Sequence, residues 1–382
     1  MNFWREMRLG DFVTLQRGHD LTEQERRPGN VPVVGSAGIH GYHDTAKADG
    51  LGVTVGRSGA SFGVVTYCPQ NFWPHNTALY VIDFHGNDRR FAYYLLKTLN
   101  FSCFNSGSAQ PSLNRNFIHP MPVRVPSLPV QHAVAAVLGA FDDKIDCNRR
   151  INDLLLRMAQ ALYQHWFVDF GPFQKRGLQD SDIGPIPKDS HAGRFGDVAL
   201  TVRSPADPQS LPPGTPYIGL EHMPRGGIAA DHWGTADEVN SNKWSFKAGQ
   251  ILFGKLRPYF KKVGVAAVDG VCSTDILVIE PARPVFFSLV ACQASNEDFI
   301  KFADAGSGGT KMPRTSWERL ASYPMAIPPQ PVAQTFNDEV SPLIELILAH
   351  IHESHRLAEI RDYLLPKLLS GEVEVKEVEG VA

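Results

Sequence analysis

Between Lys243 and Lys262 the chain carries six lysines or arginines and no carboxylate, interleaved with Trp244, Phe246, Phe253, Tyr259 and Phe260. Cations in such a run neutralise phosphates, and aromatic rings among them can pack on sugars or bases. Lys255, Arg257, Lys261 and Lys262 are therefore candidate nucleic-acid contacts, with Tyr259 beside them; a solvated strand and loop would also account for the composition. In the N-terminal part, Arg57 is the single full cation between residues 50 and 82, inside "GRSGASFG". Its glycines would let the backbone approach a phosphate, and an ordinary glycine turn would look the same.

Two further groups lie ahead of two proline-rich stretches: Ser108, Gln110, Asn114 and Arg115 in one, Thr310, Lys311 and Arg314 in the other. Asn and Gln can pair with adenine and Arg or Lys with guanine in the major groove. The two groups differ, as reading two different sequences would require. Helix capping and loop hydrogen bonding are the alternative use of these residue types.

Three stretches imitate catalytic motifs. "GQILFGKL" (249 to 256) has the spacing of a phosphate-binding loop, but Leu256 replaces the magnesium-holding hydroxyl and the apolar middle reads as a strand. "DILVIEPAR" (275 to 283) spaces two carboxylates as a nuclease strand does, yet no lysine follows Glu280 at the step metal-assisted cleavage uses. "HIHESH" (350 to 355) sets His352 and His355 three apart, where the zinc-protease pattern needs four, and reads as a solvated or partner-facing helix patch. The amino-methyltransferase stretch Asn-Pro-Pro-aromatic is missing, as is a glycine signature for a methyl-donor cofactor, so methyl transfer would come from a partner. Catalytic and metal-ligating residues are expected to be none. Cysteines 68, 103, 147, 272 and 292 lack the short spacings of a disulfide framework or zinc knuckle, and are expected to be reduced and buried. A net charge of −3 gives nucleic-acid binding no global support, so the case rests on local distribution. Without an apolar leader or a run of about 20 apolar residues, the expectation is a cytoplasmic protein with no membrane partner.

These groups are positioned by a sequence that repeats itself. "FIHPMPVRVPSLPVQ" (117 to 131) and "RLASYPMAIPPQPVA" (319 to 333) share proline positions at an offset of 202, which also pairs Gly107 with Gly309 and Pro111 with Pro313. Leu9-Gly10-Asp11 is echoed by Phe195-Gly196-Asp197, "VPVVG" by "TPYIG", and "LYVIDF" (79 to 84) by "ILVIEP" (276 to 281). Prolines exclude a central strand or helix interior, so each stretch reads as edge strand, corner and helix start. The organisation expected is a strand-rich domain over 1–128, a helical region over 129–170, a linker over 171–194, a second strand-rich domain over 195–330, a C-terminal helix over 331–370 and a tail over 371–382. In the first helix Val134, Val137, Phe141, Ile151, Leu155, Met158 and Leu162 form an apolar stripe broken by Lys144 and Asn148. Pro342 predicts a kink or a short leading helix in the second. Neither stripe could be buried alone, so the two rods should pair, antiparallel, and hold the strand-rich domains apart.

The strings "SGSAQPSLNRNFIHPMPVRVPSLPVQ", "FVDFGP", "DSDIGPIP", "ILFGKLRPYFKKVGVA" and "LLPKLLSGEV", in this order and duplicated, resemble the specificity subunit of type I restriction-modification systems. The resemblance covers the whole chain. It implies an α+β fold: two mixed, strand-rich target-recognition domains separated by a pair of long antiparallel coiled-coil helices with a pseudo-two-fold repeat. It implies a non-catalytic subunit without its own cofactor, whose domains each read half of an interrupted target in double-stranded DNA. The partners it implies are methyltransferase (modification) subunits docked on the helices and motor-nuclease (restriction) subunits, which would use S-adenosylmethionine, ATP and magnesium. The competing readings are a self-sufficient DNA-modifying enzyme and a protein–protein scaffold.

Overall fold

The computed structural model describes residues 4–105, 111–174, 177–237, 239–306 and 312–375. The chain forms two compact units, one of residues 1–144 with 357–382 and the other of 145–356.

In the first unit, a four-stranded sheet has the order Thr14–Arg17, Ala78–Asp83, Gly52–Gly56, Val65–Cys68, and a three-stranded sheet the order Gly38–His43, Val31–Gly35, Trp73–Pro74. The second unit repeats the first sheet as Ala199–Val202, Ile276–Pro281, Ile251–Gly254, Val263–Ala266, adding Ala229–Ala230 at the edge. Its other sheet runs Pro205–Ala206, Lys243–Phe246, Gly270–Cys272, Pro216–Ile218, Gly234–Thr235. Gly52–Gly56 and Ile251–Gly254 are buried throughout, as β-branched and apolar residues between two neighbours should be. The helices Arg89–Thr98 in one unit and Phe287–Ser295 in the other cover these sheets. The structure aligns Ala78 with Ile276, one residue away from the pairing of Leu79 with Ile276 that sequence similarity suggests.

Each proline stretch makes a strand in a two-stranded sheet, Pro122–Val125 against Arg5–Arg8 and Pro324–Ile327 against His191–Arg194. Two-stranded pairing tolerates the missing amides. The stretch 171–194 holds a single-turn helix at Gly171–Phe173, the strand pair Leu178–Gln179 with Ile186–Pro187, and the strand His191–Arg194.

The long helices run from Leu128 to Tyr163, followed by a π-type turn at Gln164–Val168, and from Gln330 to Ser370. The short leading helix expected before Pro342 is not formed; the second helix is unbroken there. Phe336, Val340, Ile344 and Ile347 are all buried on either side of the proline. At about 1.5–3 kcal/mol per buried side chain, their packing outweighs the roughly 3 kcal/mol that an internal proline costs. The first helix is likewise continuous through Gly139, where an added Cβ would lie 2.7 Å from the Arg90 guanidinium, which hydrogen-bonds the Gly139 carbonyl at 3.0 Å. The glycine makes room for an arginine.

Within the first unit, Val130, Val134 and Leu138 of the first helix share a core with Leu365, Leu368 and Leu369 of the second. Within the second unit, Leu155, Ala159 and Tyr163 share one with Phe336, Val340, Ile344, Ile347 and Ile351. There the helices are antiparallel: Asn148 donates to Glu353 at 2.7 Å and to Ser354 at 3.2 Å, while Asn152 reaches the Ile347 carbonyl and His350. Fully buried Asn148, mid-seam, favours this alignment over a slipped one. The cysteine expectation needs correction: Cys68, Cys272 and Cys292 are buried, but Cys103 and Cys147 are exposed, and all are free. Among the described residues, no helix is long and apolar enough to cross a membrane.

In the first unit Asp142 accepts from the Tyr94 hydroxyl and from Arg361, both at 2.5 Å. Burial and this carboxylate push the Tyr94 phenol upward. Asp142→Ala would strand a mostly buried guanidinium and a hydroxyl, although Asp362 also holds Arg361. It should lower stability by about 2–3 kcal/mol, read as an earlier midpoint in urea unfolding.

Candidate nucleic-acid interface

The repeat places one cleft in each unit, built by the same backbone bonds. In the first unit, the chain leaves Gly52–Gly56 at Arg57, whose amide donates to the Thr77 carbonyl at 2.8 Å and whose carbonyl accepts from Leu113 at 2.8 Å. In the second, the chain leaves Ile251–Gly254 at Lys255, whose amide donates to Asp275 at 2.8 Å and whose carbonyl accepts from Thr315 at 3.0 Å. Gly59 then donates to Pro111 at 3.3 Å in one, and Arg257 to Pro313 at 2.8 Å in the other. Arg57 and Lys255 are thus counterparts. An added Cβ at Gly56 would lie 2.1 Å from the Ser61 carbonyl oxygen, so the turn into Arg57 needs a glycine there.

The loop entering each cleft ends in a capped short helix. Asn114 accepts from the Asn116 amide at 3.0 Å and starts Arg115–Ile118; Ser316 accepts from the Arg319 amide at 3.3 Å and starts Trp317–Ala321. Arg57, Asn114 and Arg115 line the first cleft, of about 740 Å³, with Arg17, His19 and Ser112. Lys255 and Arg314 line the second, of about 300 Å³, with Arg203, Trp244 and Thr274. Burial first, then Arg314 and Arg203, hold the Lys255 ammonium below its ordinary range. Three cations, Lys255, Arg314 and Arg203, thus stand around one small space, with Asp275 paired to Arg314.

The structure sorts the other sequence candidates. Asn114 spends its side-chain oxygen on a cap, and Arg115 reaches the Leu15 carbonyl at 3.4 Å while exposed. Arg314 pairs with Asp275. The run from Lys243 to Lys262 is not one surface. Lys243 is buried and bonds Ser241, Lys247 pairs with Asp269 at 2.9 Å, Lys261 pairs with Glu297, and the Lys262 ammonium donates to the Leu220 carbonyl at 2.5 Å. Lys261 and Lys262 therefore lie apart from the cleft that Lys255 lines. Between them the chain turns tightly: Arg257 and Lys261 both have left-handed backbones, at φ 49° and 51°, and the turn presents Tyr259 half exposed. Strain at both ends of so short a turn marks a surface held in a particular shape. Ser108, Gln110, Thr310 and Lys311 lie outside the described residues.

The catalytic look-alikes resolve as structure. Ile251–Gly254 is a buried strand, Asp275 takes Arg314, and Glu280 takes Gln250. His355 stacks on Trp233 at 4.0 Å and bonds the Asp231 carbonyl, so that end of "HIHESH" packs inward, while His352 is exposed. Sequence reasoning missed Arg17 and Arg203. Their signal was available: each stands 6 residues after the matched pair Asp11 and Asp197.

Asn114→Ala should cost about 1 kcal/mol through loss of the cap, whereas Asn114→Asp, an equally good cap, should keep the wild-type melting temperature. Thermal melts of the two variants check the assignment.

Residues 1–157 match the family described as type I restriction modification DNA specificity domain. The MjaIX specificity subunit of a type I restriction enzyme from Methanocaldococcus jannaschii is 26% identical over 318 residues, covering 78% of this chain and 72% of that one. The EcoDI specificity subunit from Escherichia coli is 25% identical over 356 residues, covering 86% and 78%. The crystal structure of a type I restriction-modification S subunit from M. genitalium has the same fold, with a TM-score of 0.60 at 16% identity and 96% of each chain covered. The family match thus covers the first strand-rich part and the start of the first long helix, while the similarity to type I specificity subunits and the shared fold extend over most of the chain.

Proposed function

We propose that this chain is the non-catalytic, DNA-reading subunit of a type I restriction-modification complex, and that each strand-rich part reads one half of an interrupted target in double-stranded DNA from its cleft. The long helices set the distance between the half-sites and dock the methyltransferase subunits. Restriction subunits join in the full complex. The partners bring the S-adenosylmethionine, ATP and magnesium chemistry.

The observation that carries this reading is one cleft built twice on the same backbone frame with different side chains: Arg57, Ser112 and Arg115 in one, Lys255, Arg314 and Trp244 in the other. A scaffold for one repeated partner would favour like surfaces, whereas two half-sites of different sequence require unlike ones. Helices of 36 and 41 residues supply about 54 and 62 Å of rigid length, on the scale of one to two duplex turns.

The test is selection from random duplexes by the chain assembled with modification subunits. The expected outcome is two short sequences separated by a fixed unread gap. Deleting one turn from each long helix, about 5.4 Å, should shorten that gap by about 1–2 base pairs. Selection of no sequence, or an unchanged gap in the shortened variant, would contradict the reading.

A further inference from the structure

Arg17 closes the strand Thr14–Arg17 opposite Leu79. Arg203 directly follows the strand Ala199–Val202, whose last residue pairs with Val278, so the register brings Arg203 to Leu277. Leu79 and Leu277 line the two clefts, and so do the two arginines. Arg57 and Lys255, already matched by their backbone bonds, stand in the same two clefts.

Each cleft therefore keeps two cations at equivalent places. Elsewhere the lining has diverged: Ser112 faces one cleft where Arg314 faces the other. Among the described residues, both arginines make loose, exposed ion pairs, Arg17 with Asp20 at 3.4 Å and Arg203 with Glu318 at 3.9 Å. Such pairs contribute little and exchange readily for a stronger anion. A phosphate, bound bidentately by a guanidinium, is one.

Resting on the DNA-reading function proposed above, we infer that Arg17 with Arg57 and Arg203 with Lys255 form the same two-cation phosphate clamp in each unit, and that the diverged lining, Arg314 foremost, carries the sequence discrimination. The clamp sets register without information, since every nucleotide presents the same phosphate; base edges are read by what has changed between the copies. One fold can then change its target by altering the loop between Pro111 and Asn114, or between Pro313 and Ser316, while keeping its grip. The preserved pair is a positioning device.

The test uses the full chain assembled with modification subunits, comparing wild type with Arg17→Gln, Arg203→Gln, Arg17→Lys and Arg314→Gln. Affinity for the selected duplex is measured between 50 and 200 mM salt, and each variant is passed through random-duplex selection. Arg17→Gln and Arg203→Gln should each weaken binding about 3- to 10-fold, reduce the slope of log affinity against log salt by about one, and select the wild-type sequence. Arg17→Lys should restore the slope. Arg314→Gln should relax selection within one half-site only. Unchanged slopes in both glutamine variants, or an altered selected sequence in either, would overturn the clamp while leaving the DNA-reading function standing. If wild type selects no sequence, that function falls and the clamp with it.

Discussion

The apolar stripes of the two long helices must be covered, and neither helix can cover its own. This constraint organises the chain. The first helix lends its beginning, Val130 to Leu138, to the core that also holds Leu365, Leu368 and Leu369; its end, Leu155 to Tyr163, enters the core that holds Phe336 to Ile351. Each strand-rich part is thereby fused to one end of each helix. The first unit joins residues 1–144 to residues 357–382, so it cannot be cut from the chain as a contiguous piece. Residues 1–128 alone would leave the apolar faces of Phe91, Tyr94 and Leu95 without the helix that covers them.

Polar residues in that packing favour one alignment over another. Asn148, placed mid-seam, and the cluster of Asp142 with Tyr94 and Arg361 add hydrogen bonds that a slipped pairing would lose. They contribute alignment more than raw stability, because burying an amide or a guanidinium offsets much of what the new bonds return.

Much of the fold was legible because duplication writes the same punctuation twice. Prolines and glycines at a constant offset located the edge strands, the corners and the starts of both helices. The continuity of the second helix was not legible, since a proline's local cost is visible in sequence and the packing that exceeds it is not. The clefts were half legible. Lys255, Arg57 and Arg314 were singled out by type, but the equivalence of Arg57 and Lys255 was hidden, as loops of unequal length shift the repeat from 186 positions at Leu9 and Phe195 to 202 at Pro111 and Pro313. The basic run misled for another reason: adjacency along a chain does not fix direction, and strand alternation and the tight turn at Arg257 to Lys261 send its cations to different partners.

The central claim is that two independent clefts add their contacts into one divided address. The most direct measurement is a map of methylated bases in a genome carrying this chain and its modification subunits. The account predicts a single motif of two unlike half-sites separated by an unread gap of constant length, with methylation confined to it. A continuous motif, or two half-sites modified independently of their spacing, would contradict it.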